Sequence, residues 1–185
     1  MSGKRGFYKR VLLYCVAIVF FFLLIFFFSQ KYLGVNNTLH PSSRVIIKAR
    51  VAKVIDGDTV DVVIDGKEER VRLIGIDASE VEHEGKPKEC FGEEAKLYLE
   101  GLLSGQTVQL QPDSTQSDRD EYNRLLRYVF LPPEERLVNS IMVSQGFARE
   151  YTFKGIPYHY QKEFQDAQQI AKRLKVGLWA ENACL

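Results

Sequence analysis

A chain of 185 residues, 45% hydrophobic and 26% charged, is sized for one packed domain, and its composition excludes collagen-like, low-complexity and disordered polymers. The near-neutral total hides a split. Residues 1–43 carry Lys4, Arg5, Lys9, Arg10 and Lys31 with no acid, which leaves 20 basic against 24 acidic groups in 44–185. A domain with that balance, near −4, is not a binder that works through a broad basic field, so any phosphate it meets must be met by local arginines or a metal.

Four basic residues precede the apolar run Val11–Phe28, and Lys31 follows it. The run is just long enough for a membrane helix, and the charge bias places segment 1–10 in the cytoplasm. It exceeds the h-region of a signal peptide and no Ala-x-Ala-like site follows, so an uncleaved single-pass anchor is expected rather than a leader. Residues 29–43 lack a period, are rich in turn formers and read as a linker. Residues 44–185 would then lie outside the cytoplasm. Cys15 falls in the span, leaving Cys90 and Cys184 as an even pair where a disulfide can persist. A bridge and two separate thiols both satisfy the sequence, because it does not reveal the Cα separation.

From Arg44 the texture changes to short β-branched runs. Val45–Ile55 alternates as a half-buried strand, Asp56-Gly57-Asp58 reads as a turn, and Thr59–Ile64 as a second strand with Val60, Val62 and Ile64 on one face. Asp65-Gly66 is a two-residue hairpin signal, since both positions accept positive φ. A third strand is expected through Ile76. Helical periodicity begins near Phe91, with Ala95, Tyr98, Leu99, Leu102 and Leu103 on the same stripe and Gly105 at its stop. Strands follow at Thr107–Leu110 and Tyr122–Leu131, joined by the polar loop Pro112–Glu121. Pro132-Pro133-Glu134-Glu135 reads as the start of a second helix carrying Leu137, Val138, Ile141 and Met142. A third begins near Pro157 and turns Tyr160, Phe164, Ala167, Ala171 and Leu174 inward. The class is α+β, and five short strands manage their edges best as a closed barrel with three helices around it.

Within this pattern, Asp58, Asp77 and Glu80 stand inside or beside apolar runs with Arg72. Carboxylates so placed repel one another and resist ionisation unless a cation neutralises them. Oxygen donors without a His/Cys cluster suit a hard ion and not zinc. Asp56, Asp61 and Asp65 read as a turn, a solvated strand and a hairpin residue. Arg70, Arg119 and Arg127 read as surface charges, and Trp179 as core.

Three blocks in order, Asp56-Gly57-Asp58-Thr59, Arg72-Leu73-Ile74-Gly75-Ile76-Asp77-Ala78-Ser79-Glu80 and Asp120-Glu121-Tyr122-Asn123-Arg124, resemble the active-site segments of the staphylococcal-nuclease-like (thermonuclease) family. Further similar segments bring the resemblance to roughly residues 45–180. It implies a five-stranded OB-fold barrel with three helices, here behind an N-terminal transmembrane helix, and a Ca²⁺-dependent nuclease acting on DNA, RNA or both. On the matching positions it implies Asp58, Asp77 and the backbone carbonyl of Ala78 as metal ligands. Glu80 would activate water, Arg72 and Arg124 would be the catalytic arginines, and Tyr122 and Tyr151 would contact the nucleotide. The sequence departs from the family at Ala78-Ser79, Glu121, Asn123 and Phe153. It points to no protein partner beyond the nucleic acid and the membrane. A catalytically silent OB-type binding module tethered to the membrane is the alternative, although it has little need of all five of Asp58, Asp77, Glu80, Arg72 and Arg124.

One spacing sets a structural condition. Residues five apart on a flat strand point to opposite faces, so Arg72 and Asp77 can share a cleft only if the chain bends near Gly75.

Overall fold

The strand pattern becomes a closed barrel in the computed structural model, which describes residues 46–82 and 89–184. The expected span 11–28, segment 1–10 and linker 29–43 lie outside the described residues. Five long strands form the wall: β1 (Ile47–Val54), β2 (Thr59–Ile64), β3 (Lys67–Leu73), β5 (Thr107–Gln111) and β6 (Leu125–Leu131). Neighbours pair antiparallel in the order β3-β2-β1-β5-β6, and a parallel β3–β6 pairing joins the two ends. Closure leaves these strands without a free edge. In β1 the register shifts between Val51 and Lys53; this bulge at Ala52 returns Val54 to the core side after Ala49 and Val51.

The barrel is filled by Val60, Val62, Val71, Val108, Leu110 and Val129, each fully buried. A buried side chain of this size contributes about 1.5–3 kcal/mol relative to exposure. Helix α1 (Gly92–Leu103) buries Ala95, Leu99 and Leu103 on the same core, as its periodicity predicts. Helix α2 (Val138–Ser144) buries Val138 and Met142, and α3 (Gln161–Leu174) packs on α2 through Phe164, Ala167 and Ala171.

Several expectations are corrected. The third strand does not run through Ile76: it ends at Leu73, and Ile76–Asp77 forms a separate two-residue strand, β4, paired with β8 (Arg149–Glu150). The strand expected from Tyr122 begins only at Leu125, because Asp120 Oδ1 accepts the backbone N–H groups of Tyr122 and Arg124 and closes a turn there. Pro132-Pro133, joined by a cis peptide, belongs to the turn between β6 and the short β7 (Arg136–Leu137), and the helix starts after it at Val138. Leu174 is 67% exposed: it is the last residue of α3, beyond the buried Phe164, Ala167 and Ala171. Arg127 is buried, with Nη2 2.6 Å from Asp118 Oδ1, and Asp61 is buried in a two-point pair with its cross-strand neighbour Arg70. Trp179 is half-buried rather than core, with Lys172 and Arg149 over its ring.

Candidate active site

Asp58 leaves the β1–β2 turn on the inner side. Gly57 makes this possible, since a Cβ there would stand 2.6 Å from the Ala78 methyl and 2.7 Å from that of Ala95. Asp56 Oδ1 accepts the Asp58 N–H at 3.1 Å, the bond expected of a turn aspartate, yet Asp56 is itself buried. Asp58 is 5% exposed; its Oδ2 accepts the Ala78 N–H at 2.8 Å and its Oδ1 the Thr59 hydroxyl at 2.9 Å.

Arg72, near the end of β3, joins this group to the next strand. Its Nη2 stands 2.9 Å from Asp58 Oδ2 and 3.1 Å from Asp77 Oδ1, while Nη1 donates to the carbonyls of Leu73 and Ile76. The condition on the chain direction is met between them. Gly75 has φ 78°, a conformation that other residues adopt only with strain, and the strand breaks there. Four hydrogen bonds hold the break: Ile74 N–H to the Arg127 carbonyl at 3.0 Å, Asn139 Nδ2 to the Ile74 carbonyl at 2.9 Å, and Tyr151 N–H and the Tyr158 hydroxyl to the Gly75 carbonyl at 3.0 and 3.2 Å. Side chains five apart thereby meet.

Burial, more than the nearby charges, sets the electrostatics of the pair. Burial, opposed by Arg72 and reinforced by Asp56, pushes the Asp58 carboxyl up to about 6. Burial also raises Asp77, with Arg72 pulling the other way and Asp58 adding to the rise. Two carboxylates converging beside a backbone peptide, with no thiolate or imidazole, fit a hard oxygen-seeking cation such as Ca²⁺. Among the described residues no three His, Cys, Asp or Glu side chains gather as a metal-binding group.

Glu80 follows two residues after Ala78 and is half-buried. Its backbone N–H donates to Glu89 Oε2 at 3.1 Å, and its carbonyl accepts the Glu89 N–H at 3.0 Å. Arg124 lies just before β6, whose Leu126 pairs with Arg72, and its Nε donates to Asp120 Oδ2 at 2.6 Å with the guanidinium 5.2 Å from the Tyr122 ring centroid. Tyr122 is 73% exposed and Tyr151 44%. Cys90, before α1, is bonded to Cys184 with a Cα separation of 5.6 Å, which settles the pairing that the sequence left open.

The structure gives positioning roles to three residues for which the sequence suggests none of that kind, Tyr158 reading equally as core packing or base stacking: Asp120 stands behind Arg124, and Asn139 and Tyr158 behind the bend. Asp120 was visible as an acid opening a turn block. The other two lie 65 and 83 residues from the atoms they hold and carry no local signal.

Comparison with known proteins places the chain in a family. Residues 70–181 match the family model described as "Staphylococcal nuclease homologue". The chain is 36% identical over 131 residues to the thermonuclease of Staphylococcus hyicus, covering 71% of this chain and 75% of that protein. It is 33% identical over 146 residues to the micrococcal nuclease of Shigella flexneri, covering 72% and 74% respectively. It is also 28% identical over 144 residues to endonuclease YncB of Bacillus subtilis, covering 76% and 65%. A closed five-stranded barrel with three helices, a carboxylate pair bridged by an arginine, and these matches together establish that the chain belongs to the staphylococcal nuclease homologue family.

Proposed function

We propose that this protein is a Ca²⁺-dependent nuclease that hydrolyses phosphodiester bonds of DNA, RNA or both. The observation that carries the reading is the convergence of buried Asp58 and of Asp77 on one nitrogen of Arg72. Asp58, Asp77 and the Ala78 carbonyl would hold calcium, which when bound neutralises charge on the phosphate oxygens. Arg72 and Arg124 donate to the same phosphate, and their planar forks match two oxygens at once. Each is held in the resting protein by an acid that a phosphate can replace: half-exposed Asp77, beside the buried Asp58, for Arg72, and Asp120 for Arg124. Glu80 accepts the proton of the attacking water, and the tether to Glu89 fixes where its backbone stands. Exposed Tyr122 and Tyr151 offer rings to the base.

The exposed Cys90–Cys184 bridge supports an oxidising compartment for the domain, with residues 11–28 as its single-pass membrane anchor and 1–10 in the cytoplasm. The functional test is cleavage of single-stranded DNA and RNA by the full-length chain in detergent, with calcium and with a chelator. Cleavage that needs calcium and falls roughly 10²–10⁴-fold in Glu80→Gln is expected. Binding without cleavage would instead identify a silent OB-type module.

A further inference from the structure

Resting on that nuclease reading, we propose that the nucleic-acid path continues beyond the cleft over Arg149 and Lys172, which take phosphates flanking the scissile one, with the Trp179 ring as their common floor. Arg149 is the register partner of Asp77 in the β4–β8 pair. Directly opposed residues of an antiparallel pair project from the same face with Cβ atoms about 4.5–5.5 Å apart, so Arg149 leaves the sheet on the side where Asp77 meets Arg72. It is exposed, and although its charge acts on Asp77 across the pair, among the described residues no carboxylate stands within ion-pair distance of it. The contrast is with Arg70, Arg72, Arg119, Arg124 and Arg127, each held by a carboxylate.

What Arg149 has instead is an aromatic support. Its guanidinium lies 5.8 Å from the Trp179 ring centroid, and Lys172 Nζ, from the last turn of α3, lies 4.5 Å from the same centroid. Contact with a ring face orients a cation without using its N–H donors, which remain for a phosphate. In a domain near −4, two cations on one ring beside the cleft form a local basic track, the feature its net charge demands of a polyanion binder. An aromatic ring interleaved with such cations suits a flexible single strand.

Trp179 is the chain's one tryptophan and so reports on its own site. The test uses the full-length chain in detergent with Glu80→Gln to prevent turnover, titrated with a dinucleotide and with a single-stranded oligodeoxynucleotide of about twelve nucleotides. The longer strand, and not the dinucleotide, is expected to change Trp179 emission. Arg149→Gln and Lys172→Gln should each reduce the slope of log affinity against log salt by about 0.7 for the longer strand, one phosphate contact apiece, and leave dinucleotide binding unchanged. Arg149→Lys should restore the slope. Unchanged slopes, or equal losses on both ligands, would overturn the track while leaving the cleft's role intact. Failure of the Glu80→Gln chain to bind either ligand would overturn the nuclease reading and the track together.

Discussion

The Tyr158 hydroxyl donates to the carbonyl of Gly75, 83 residues earlier, and its ring fills the space where a Gly75 side chain would stand. The hydroxyl shares its one proton between that carbonyl and Glu150 Oε1, at 3.0 Å, on the strand paired with β4. One side chain thus spans the bend that brings Arg72 and Asp77 together and the strand that supports Asp77.

Gly75→Ala would place a Cβ 2.5 Å from the Tyr158 ring and 2.9 Å from Phe164, at a positive φ. A loss of about 2–5 kcal/mol is expected from strain and overpacking, read as a lower urea midpoint. Tyr158→Phe keeps the ring and removes the hydroxyl, which should cost about 1–3 kcal/mol. A Gly75→Ala midpoint equal to that of the unaltered chain would mean that the bend does not need glycine.

The two arginines should separate in stability but not in activity. Arg72→Gln removes the cation from Asp58, a buried partner, and should cost about 3–5 kcal/mol of stability. Arg124→Gln disturbs a pair that is partly exposed on both sides, and its thermal midpoint should move far less. Each should lower the rate of calcium-supported cleavage by roughly 10²–10³-fold if it donates to the transition state. Denaturant unfolding and single-turnover cleavage on the same preparations check both halves.

The pH behaviour follows from Asp58. Its folded value of about 6 lies above the ordinary 3.8. The folded protein therefore keeps a proton that the unfolded chain releases, so without calcium this residue's contribution to stability falls as pH rises from about 4 to about 6 and is level above that. Bound calcium favours the ionised carboxylate, so calcium affinity should rise up to about tenfold per pH unit toward 6 and then flatten. Calcium titrations followed by melting temperature at pH 5, 6 and 7 measure this; affinity independent of pH across that range would remove Asp58 from the ligand set.

The Cys90–Cys184 bridge closes a loop with a sequence separation of 94 residues. Reduction with a dithiol, or Cys90→Ser, should lower stability by about 2–5 kcal/mol. Denaturant midpoints with and without reductant give the value, and no change in the wild-type chain would show that the bridge stabilises nothing.

Much of this molecule is local and so was open to reading from the sequence. The Asp65-Gly66 hairpin and the stripe Ala95, Leu99, Leu103 report local turn chemistry and which side of a helix is apolar, and the structure follows both; in Thr59–Ile64 Val60 and Val62 are buried as the alternation expects, but so are Thr59 and Asp61 on the other face. The spacing of Arg72 and Asp77 even demanded the bend at Gly75. Where reading failed, a distant partner had overridden a local pattern. Arg127 looks like a surface charge until Asp118 meets it, and Leu174 looks like core although it ends α3 largely in solvent.

By itself, then, the sequence determined the elements, the barrel class and the residues worth testing, because period, turn chemistry and ordered motif blocks are properties of neighbouring residues. The tertiary structure alone shows that Asp58 and Asp77 share one guanidinium nitrogen, that Cys90 reaches Cys184, and that Arg149 stands opposite Asp77 in register with its guanidinium over Trp179. Those relations depend on which strands pair and in which register, and register is set by packing across the whole barrel rather than by any stretch of chain.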